Sequence, residues 1–249
     1  MNHFTDNFSQ QSGIYARYRP LYPAALYSFL ASLTVGHDLA WDCGTGNGQA
    51  AIGLTGYYAE VIATDPSEEQ IKNCFPHPTV KYRVEKAEDF SMRNCFPDII
   101  TVANALHWFD FGDFYPVVKK VLKKDGIFAA WCYGIPAVNP DIDKIISHFH
   151  DVILHEYWVK ENRLVEQEYK TIPFPFDEII CPPFISQKEF NRDEFITYLN
   201  TWSATQKFLN KTGVNPTSAI LDDLQAVWNN PADKKCLTWK LFVRAGKLN

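Results

Sequence analysis

The sequence predicts an α/β protein built on a largely parallel sheet with helices on both faces, and three observations predict it. Short aliphatic runs alternate with helical patterns from about residue 39 to 133. A glycine-rich turn follows the first run and opens a helix. The chain closes on Leu237-Thr238-Trp239-Lys240-Leu241-Phe242-Val243-Arg244, which alternates like a strand and comes after a helical stretch.

The expected parallel strands are Leu39–Cys43, 61–64, Val80–Val84, Ile99–Ala103 and 127–132. Their apolar residues are continuous rather than alternating, as in strands buried on both faces. Gly126, after Lys123-Lys124-Asp125, is the expected turn into the fifth strand. Past Gly134 the pattern becomes helical. Asp141 is expected to open a helix with apolar residues at 142, 145, 146, 149, 152, 153 and 157. Asn191 and Glu194 have the spacing of a capping box before Phe195, Ile196 and Leu199. Thr217 is expected to cap a helix carrying Ile220, Leu221, Leu224, Val227 and Trp228. The proline-rich stretch 172–184 reads as an irregular loop over the site. The final strand suits the antiparallel edge of a mixed sheet. No linker divides the chain, so residues 1–249 are expected to form one domain.

Composition narrows the function classes. Hydrophobic residues make up 46 % and charged residues 21 %, enough for a real core. The net charge is −5, and the one basic cluster, Lys119, Lys120, Lys123 and Lys124, interrupts the apolar series Val117, Val118, Val121 and Leu122. That pattern is a solvated helix face and not a phosphate track, so nucleic acid is not an expected partner. The N-terminus is polar, and charge-free stretches such as 99–109 are too short to span a bilayer, so a cytoplasmic protein without membrane association is expected. Cysteines at 43, 74, 95, 132, 181 and 236 form no CxxC pair, so neither a zinc site nor a redox pair is expected.

The most informative stretch is Asp42-Cys43-Gly44-Thr45-Gly46-Asn47-Gly48-Gln49. Glycines permit positive φ and let a ligand approach the backbone closely. In an open α/β sheet this turn lies at the carboxyl ends of the strands, where ligands bind. The dinucleotide fingerprint G-x-G-x-x-G does not fit, because Gln49 occupies its third glycine position. Asp42 would also repel a diphosphate and suit a ligand with a cationic amino group. A second strand ends in Asp65, at the distance expected of an acid that grips ribose hydroxyls; the alternative is that Asp65 before Pro66-Ser67 simply caps the next helix. A nucleoside with positive charge and no diphosphate fits these residues, and S-adenosylmethionine is the common cofactor of that kind. An NAD-dependent dehydrogenase is disfavoured by the same spacing.

With these residues in view, the sequence resembles the class I S-adenosylmethionine-dependent methyltransferases over about residues 36–134. Asp42 to Gly48 resembles the first motif of that family and Asp65 its ribose acid. Ala87-Glu88-Asp89-Phe90 is similar to the segment that contacts adenine. Asp98-Ile99-Ile100-Thr101-Val102-Ala103-Asn104 resembles the fourth strand, whose end faces the methionine part of the cofactor. Leu122-Lys123-Lys124-Asp125-Gly126-Ile127-Phe128 resembles the turn into the fifth. The resemblance implies a Rossmann-like, seven-stranded mixed sheet with an antiparallel last strand. It also implies a cofactor site drawn from Asp42, Gly44, Gly46, Gly48, Asp65, Ala87, Glu88 and Asn104.

A narrower resemblance, to the trans-aconitate methyltransferase-like group, rests on Tyr15-Ala16-Arg17-Tyr18-Arg19-Pro20-Leu21-Tyr22-Pro23, on Ala105-Leu106-His107-Trp108-Phe109 and on Trp202-Ser203-Ala204. It implies that residues 1–35 cover the cofactor, that 36–134 form the cofactor-binding core and that 135–249 form the substrate side. Arg19, with Tyr15 nearby, is then the candidate for the cofactor's carboxylate. Tyr22 has the alternative of simply packing on the sheet. Plant carboxyl methyltransferases carry a Leu-His-Trp stretch similar to Leu106-His107-Trp108, whose tryptophan helps hold the acceptor carboxylate. His107 and Trp108 are therefore the candidate substrate residues, and His107 is the one candidate base. The expected reaction is O-methylation of a small-molecule carboxylate. The alternatives are an N- or hydroxyl-O-methyltransferase with His107 as base, or a binding module that keeps the cofactor pocket without turnover.

Overall fold

The computed structural model describes residues 18–91 and 96–248. Five parallel strands, β1 (Leu39–Cys43), β2 (Glu60–Asp65), β3 (Val80–Val84), β4 (Ile99–Ala103) and β5 (Ile127–Tyr133), lie in the order β3-β2-β1-β4-β5. Every residue of β1 and β5 is buried. That is why these runs read as continuously apolar. Between the strands run α2 (Gln49–Leu54), α3 (Glu68–Lys72) and α4 (Phe111–Val121), the connections that parallel pairing requires. The chain reverses its direction of travel across the sheet between β1 and β4, and the crevice above that switch point is where ligands bind in such sheets.

The far side of β5 is antiparallel. β6 (Asp177–Ile179), β7 (Phe184–Phe190) and the 13-residue β8 (Lys235–Lys247) complete the sheet. Leu241 of β8 stands opposite both Tyr133 of β5 and Phe184 of β7. β8 is therefore an interior strand and not the edge expected from its sequence.

Among the described residues the sheet has eight strands, one more than the expected seven. The extra one is Asp177–Ile179, inside the stretch expected to loop over the site. Its backbone covers the open edge of β8, and Arg244 clamps it through Glu178 at 2.7 Å. Phe174 and Phe176 next to it pack on Phe128, so this segment completes the core.

One face of the sheet is covered by α1 (Ala24–Leu33) and α2, which bury Leu26, Tyr27, Leu30 and Leu54 against Trp131 and Ala129. α1 thus lies on the sheet. Of the stretch expected to cover the cofactor, Arg19 and Tyr22 line the cavity described below. The other face carries α4 with Trp41, Phe90, Phe114 and Phe128. A third cluster holds two helical insertions together. The first follows β5: α5 (Pro140–His148), a π-helical turn over Phe149–Ile153, and α6 (Asn162–Glu166). The second lies between β7 and β8: α7 (Arg192–Asn200), α8 (Ser203–Thr212) and α9 (Leu221–Val227). Both bury aromatics, including Phe149, Phe195, Tyr198 and Trp228, around Trp239 of β8.

The Asn191/Glu194 capping box is present, with both reciprocal bonds at 2.9 Å. Two other helix starts differ from expectation. α5 begins at Pro140 with Asn139 as its cap, because proline suits the first helical position. Asn215, not Thr217, caps the 3₁₀ turn that leads into α9. Its Oδ1 accepts from the Thr217 amide at 3.0 Å.

Candidate functional site

A cavity of about 2000 Å³ opens above the switch point. Pockets for one small molecule run to roughly 300–1,000 Å³, so two molecules fit side by side. Its lining comes from two sources. The turns after β1, β2, β3 and β4 supply one group, and the helical insertions supply the other.

The glycine turn is built for close approach. Gly44, Gly46 and Gly48 have φ of 67°, 55° and 87°, a region that residues with a Cβ avoid. A Cβ on Gly46 would meet nothing nearer than Gln70 Oε1 at 4.0 Å, so it would project into the space a ligand takes. Gly44 and Gly46 line the cavity. Gly48 instead faces the Tyr82 hydroxyl, 2.6 Å from where its Cβ would stand.

Asp65 lines the cavity from the end of β2. Its Oδ2 accepts from the Gly46 amide and its Oδ1 from the Ser67 amide, both at 2.9 Å. The carboxylate thus ties the two turns together and faces the cavity between them. Ser67 is the actual cap of α3, so Asp65 serves the turn without being the helix cap. Ala87 and Glu88, in a 3₁₀ turn after β3, and Asn104, after β4, also line the cavity. Asn104 sits at φ 54° with its amide donating to the Trp131 carbonyl at 2.7 Å, a left-handed conformation that asparagine tolerates.

Asp42 is placed differently from its expected position at the loop mouth. It is fully buried beneath the loop, with Thr45 Oγ1 donating to one oxygen at 2.5 Å and Thr101 Oγ1 to the other at 2.8 Å. Burial raises its carboxyl to about 6 against those hydroxyls. Two buried polar atoms in the cavity wall, Asn47 Nδ2 and Gln70 Oε1, have no hydrogen-bond partner among the described residues. Such groups are costly unless a ligand or water meets them. A donor and an acceptor beside a glycine cradle and a carboxylate fit a hydroxylated nucleoside.

Arg19 is buried and lines the cavity. Its Nη2 donates to the Thr201 carbonyl at 2.9 Å, and the guanidinium lies over the Tyr198 ring. The packing alternative for Tyr22 is visible as an edge contact on Trp131 at 5.3 Å. Tyr15 lies outside the described residues.

His107 and Trp108 share a 3₁₀ turn after β4 and both line the cavity. His107 Nδ1 is 2.8 Å from the Tyr169 hydroxyl. Burial pushes this imidazole down to about 3, so it is neutral at physiological pH.

Several lining residues went unnoticed in the sequence. His150 and Asp151 lie in the π turn, with Nδ1 to Oδ1 at 2.7 Å. Trp158, whose ring is 4.7 Å from that of His150, completes an aromatic wall with Trp202 of the Trp202-Ser203-Ala204 stretch. Lys207 lines the same region, its ammonium lowered by burial. The signal that could have found the His150–Asp151 pair is polar residues intruding on the apolar stripe of α5. Among the described residues, no helix is long and apolar enough to cross a membrane.

Comparison with known proteins places this geometry. A methyltransferase domain model matches residues 41–130. A Dictyostelium discoideum protein designated a methyltransferase is 32 % identical over 83 % of this chain and 80 % of its own. A Saccharomyces cerevisiae protein designated an S-adenosylmethionine-dependent methyltransferase is 30 % identical over 52 % of this chain and 48 % of its own. A solved structure from Anaeromyxobacter dehalogenans, designated a type II methyltransferase, is 36 % identical with a TM-score of 0.86, covering 93 % of this chain and 98 % of that one.

Proposed function

The chain belongs to the class I S-adenosylmethionine-dependent methyltransferase family, and from that premise we propose that it methylates the carboxylate of a small molecule. S-adenosylmethionine, when bound, supplies a methyl group already activated on a sulfonium. The residues here have to hold it, hold the acceptor in line and exclude water. In this reading Asp65 accepts the ribose hydroxyls, and the Gly44–Gly46 backbone gives the cofactor room. Ala87 and Glu88 meet the adenine, and Asn104 faces the methionine part. Arg19, with Tyr15, takes the cofactor's carboxylate. Asp42 and Gly48 act from below, holding the loop and its negative field.

The observation that carries the carboxylate is the state of His107. Amines and hydroxyls must lose a proton on methylation, whereas an ionised carboxylate need not. An imidazole held down to about 3 is a poor base at neutral pH, which counts against His107 in that role. Its neighbour Trp108 has an indole N–H, a donor only, which suits an anionic oxygen. The resemblance to the trans-aconitate methyltransferase-like group and to the plant carboxyl methyltransferases is in keeping with this.

A second reading has its own support. His150, oriented by Asp151 at 2.7 Å, has the arrangement of a general base, and it would serve a hydroxyl or amine acceptor. Labelled S-adenosylmethionine, offered with separate pools of acids, phenols and amines and read by mass, separates the two. Base-labile methyl esters are expected. Products confined to ethers or N-methyl compounds would refute the carboxylate.

A further inference from the structure

Tyr169 is fully buried among Phe128, Cys132 and Phe176. A tyrosine in such a place needs a partner for its hydroxyl, and this one has His107 Nδ1 at 2.8 Å. The chain takes an unfavourable path to put it there. Glu168 and Tyr169 have φ of 58° and 60°, two successive non-glycine residues in the left-handed region. Such conformations persist where the surroundings over-determine them, and they cluster at functional sites.

The surroundings do so here. Arg244 of β8 donates from Nη1 to the carbonyls of Tyr169 at 3.0 Å and Ile172 at 2.7 Å. Its Nε and Nη2 hold Glu178, and its guanidinium lies 4.3 Å over the Phe174 ring. This latch fixes the turn that delivers the phenol.

We infer that Tyr169 is a positioning residue: it fixes His107 as the neutral tautomer with its proton on Nε2, so that His107 meets the acceptor only as a hydrogen-bond donor. The direction of the bond follows from the surroundings of the phenolic oxygen. Among the described residues His107 Nδ1 is its one hydrogen-bond partner. Were Nδ1 the donor, the buried phenol proton would be left without an acceptor, so the phenol donates to Nδ1. A neutral imidazole that accepts at Nδ1 carries its N–H at Nε2. His107 lines the cavity, and Nε2 has no hydrogen-bond partner among the described residues.

The consequence is a specificity filter. Nε2–H is a donor, so a ligand group that also brings N–H or O–H finds no acceptor there. An ionised carboxylate brings only acceptors. The inference deepens the carboxylate reading and rests on it for the identity of the group that meets Nε2.

Nitrogen-15 NMR of the whole protein, labelled at histidine, tests this directly. His107 is assignable through the Trp108 ring, 4.8 Å away. Expected are a pyridine-type Nδ1 and a pyrrole-type Nε2. In Tyr169→Phe the phenyl ring still fills the space, but the two tautomers should mix. Acceptor kcat/KM should then fall about tenfold, with affinity for S-adenosylhomocysteine unchanged. A role confined to packing would leave the tautomer where it was. A pyrrole-type Nδ1 in the wild-type protein overturns the inference whether or not the variant folds. So does an unmoved tautomer in a folded Tyr169→Phe. If the acceptor pools return only amines or alcohols while the spectrum shows Nε2–H, the carboxylate reading falls and the role of Tyr169 stands.

Discussion

The two halves of the cavity are made of different materials. On the side proposed for the cofactor the lining groups are largely glycines and short side chains in turns that directly follow β1, β2, β3 and β4. On the acceptor side, His107 and Trp108 after β4 meet large side chains on two insertions, joined by contacts far apart in sequence. The Trp239 indole donates to the Tyr198 hydroxyl, 41 residues away, at 3.1 Å. A surface of amides and glycines keeps its shape when neighbouring side chains change. A wall of Trp158, Trp202, His150 and Lys207 changes with each substitution. The first suits a ligand that never varies, and the second one that varies between relatives.

This comparison can be broken by variants that should act on one half alone. The largest effect is expected at the glycine turn. Gly46→Val places a branched Cβ in the ligand's space at φ 55°. Binding of S-adenosylhomocysteine should fall at least about a hundredfold, roughly 3 kcal/mol, in a protein whose circular dichroism is unchanged. Normal calorimetric affinity would mean that the loop is only a turn.

Next comes Asp65→Ala, which removes the charged group proposed to accept the ribose hydroxyls. Affinity should drop about tenfold to a hundredfold, as for hydrogen bonds worth roughly 1.5–3 kcal/mol. The Gly46 and Ser67 amides also lose their partner, so melting should be recorded alongside calorimetry.

Across the boundary, Trp108→Phe should leave cofactor affinity alone and lower acceptor kcat/KM by about 1–3 kcal/mol. The rate should stay flat above the acceptor's own pKa. A rate that climbs near neutral pH, with Trp108→Phe fully active, would shift the chemistry to a base such as His150.

The smallest effect sharpens the comparison through pH. Asp42 rises from 3.8 to about 6 in the fold, so the native state takes up its proton first, and acidification through this range adds stability. His107 falls from 6.5 to about 3, so the unfolded state takes up the proton first. Its contribution is whole above the unfolded value and is lost as pH falls toward the folded one. Between about pH 7 and pH 5.5 each is worth roughly 1 kcal/mol, with opposite sign. Urea titrations should show a small net change from this pair in the wild type. They should show an acid-side loss in Asp42→Asn and an acid-side gain in His107→Gln, each relative to the wild type. Equal pH responses in all three proteins would remove both assignments.

The glycine turn and the acid that ends β2 are legible in the sequence because their logic is local. A strand, three glycines and a helix lie within about 15 residues, and an acid ends the next strand. Even so, the depth of Asp42 was not readable, since Thr101 on the neighbouring strand sets it. Segment 172–184 reads as a loop because proline and a lack of periodicity say nothing about an unpaired edge elsewhere. That edge belongs to β8, over 50 residues later. The role of β8 as an interior strand depended on the same long-range pairing. Tyr169 had no local signature at all; only the fold brings it to His107, 62 residues back.

The π-helical turn at the end of α5 has a consequence for how this site can evolve. One wide turn, closed by Leu154 N–H to the Phe149 carbonyl at 3.0 Å, carries His150 and Asp151 side by side into the cavity wall. In a regular helix neighbours diverge by about 100° around the axis, so two adjacent residues seldom serve one surface. A wide turn of this kind is what a single inserted codon leaves in a helix, and losing that codon would rotate everything beyond it by the same angle. Lineages could thus exchange one acceptor wall for another in a single indel, without touching the sheet, the glycine turn or the acid that follows it.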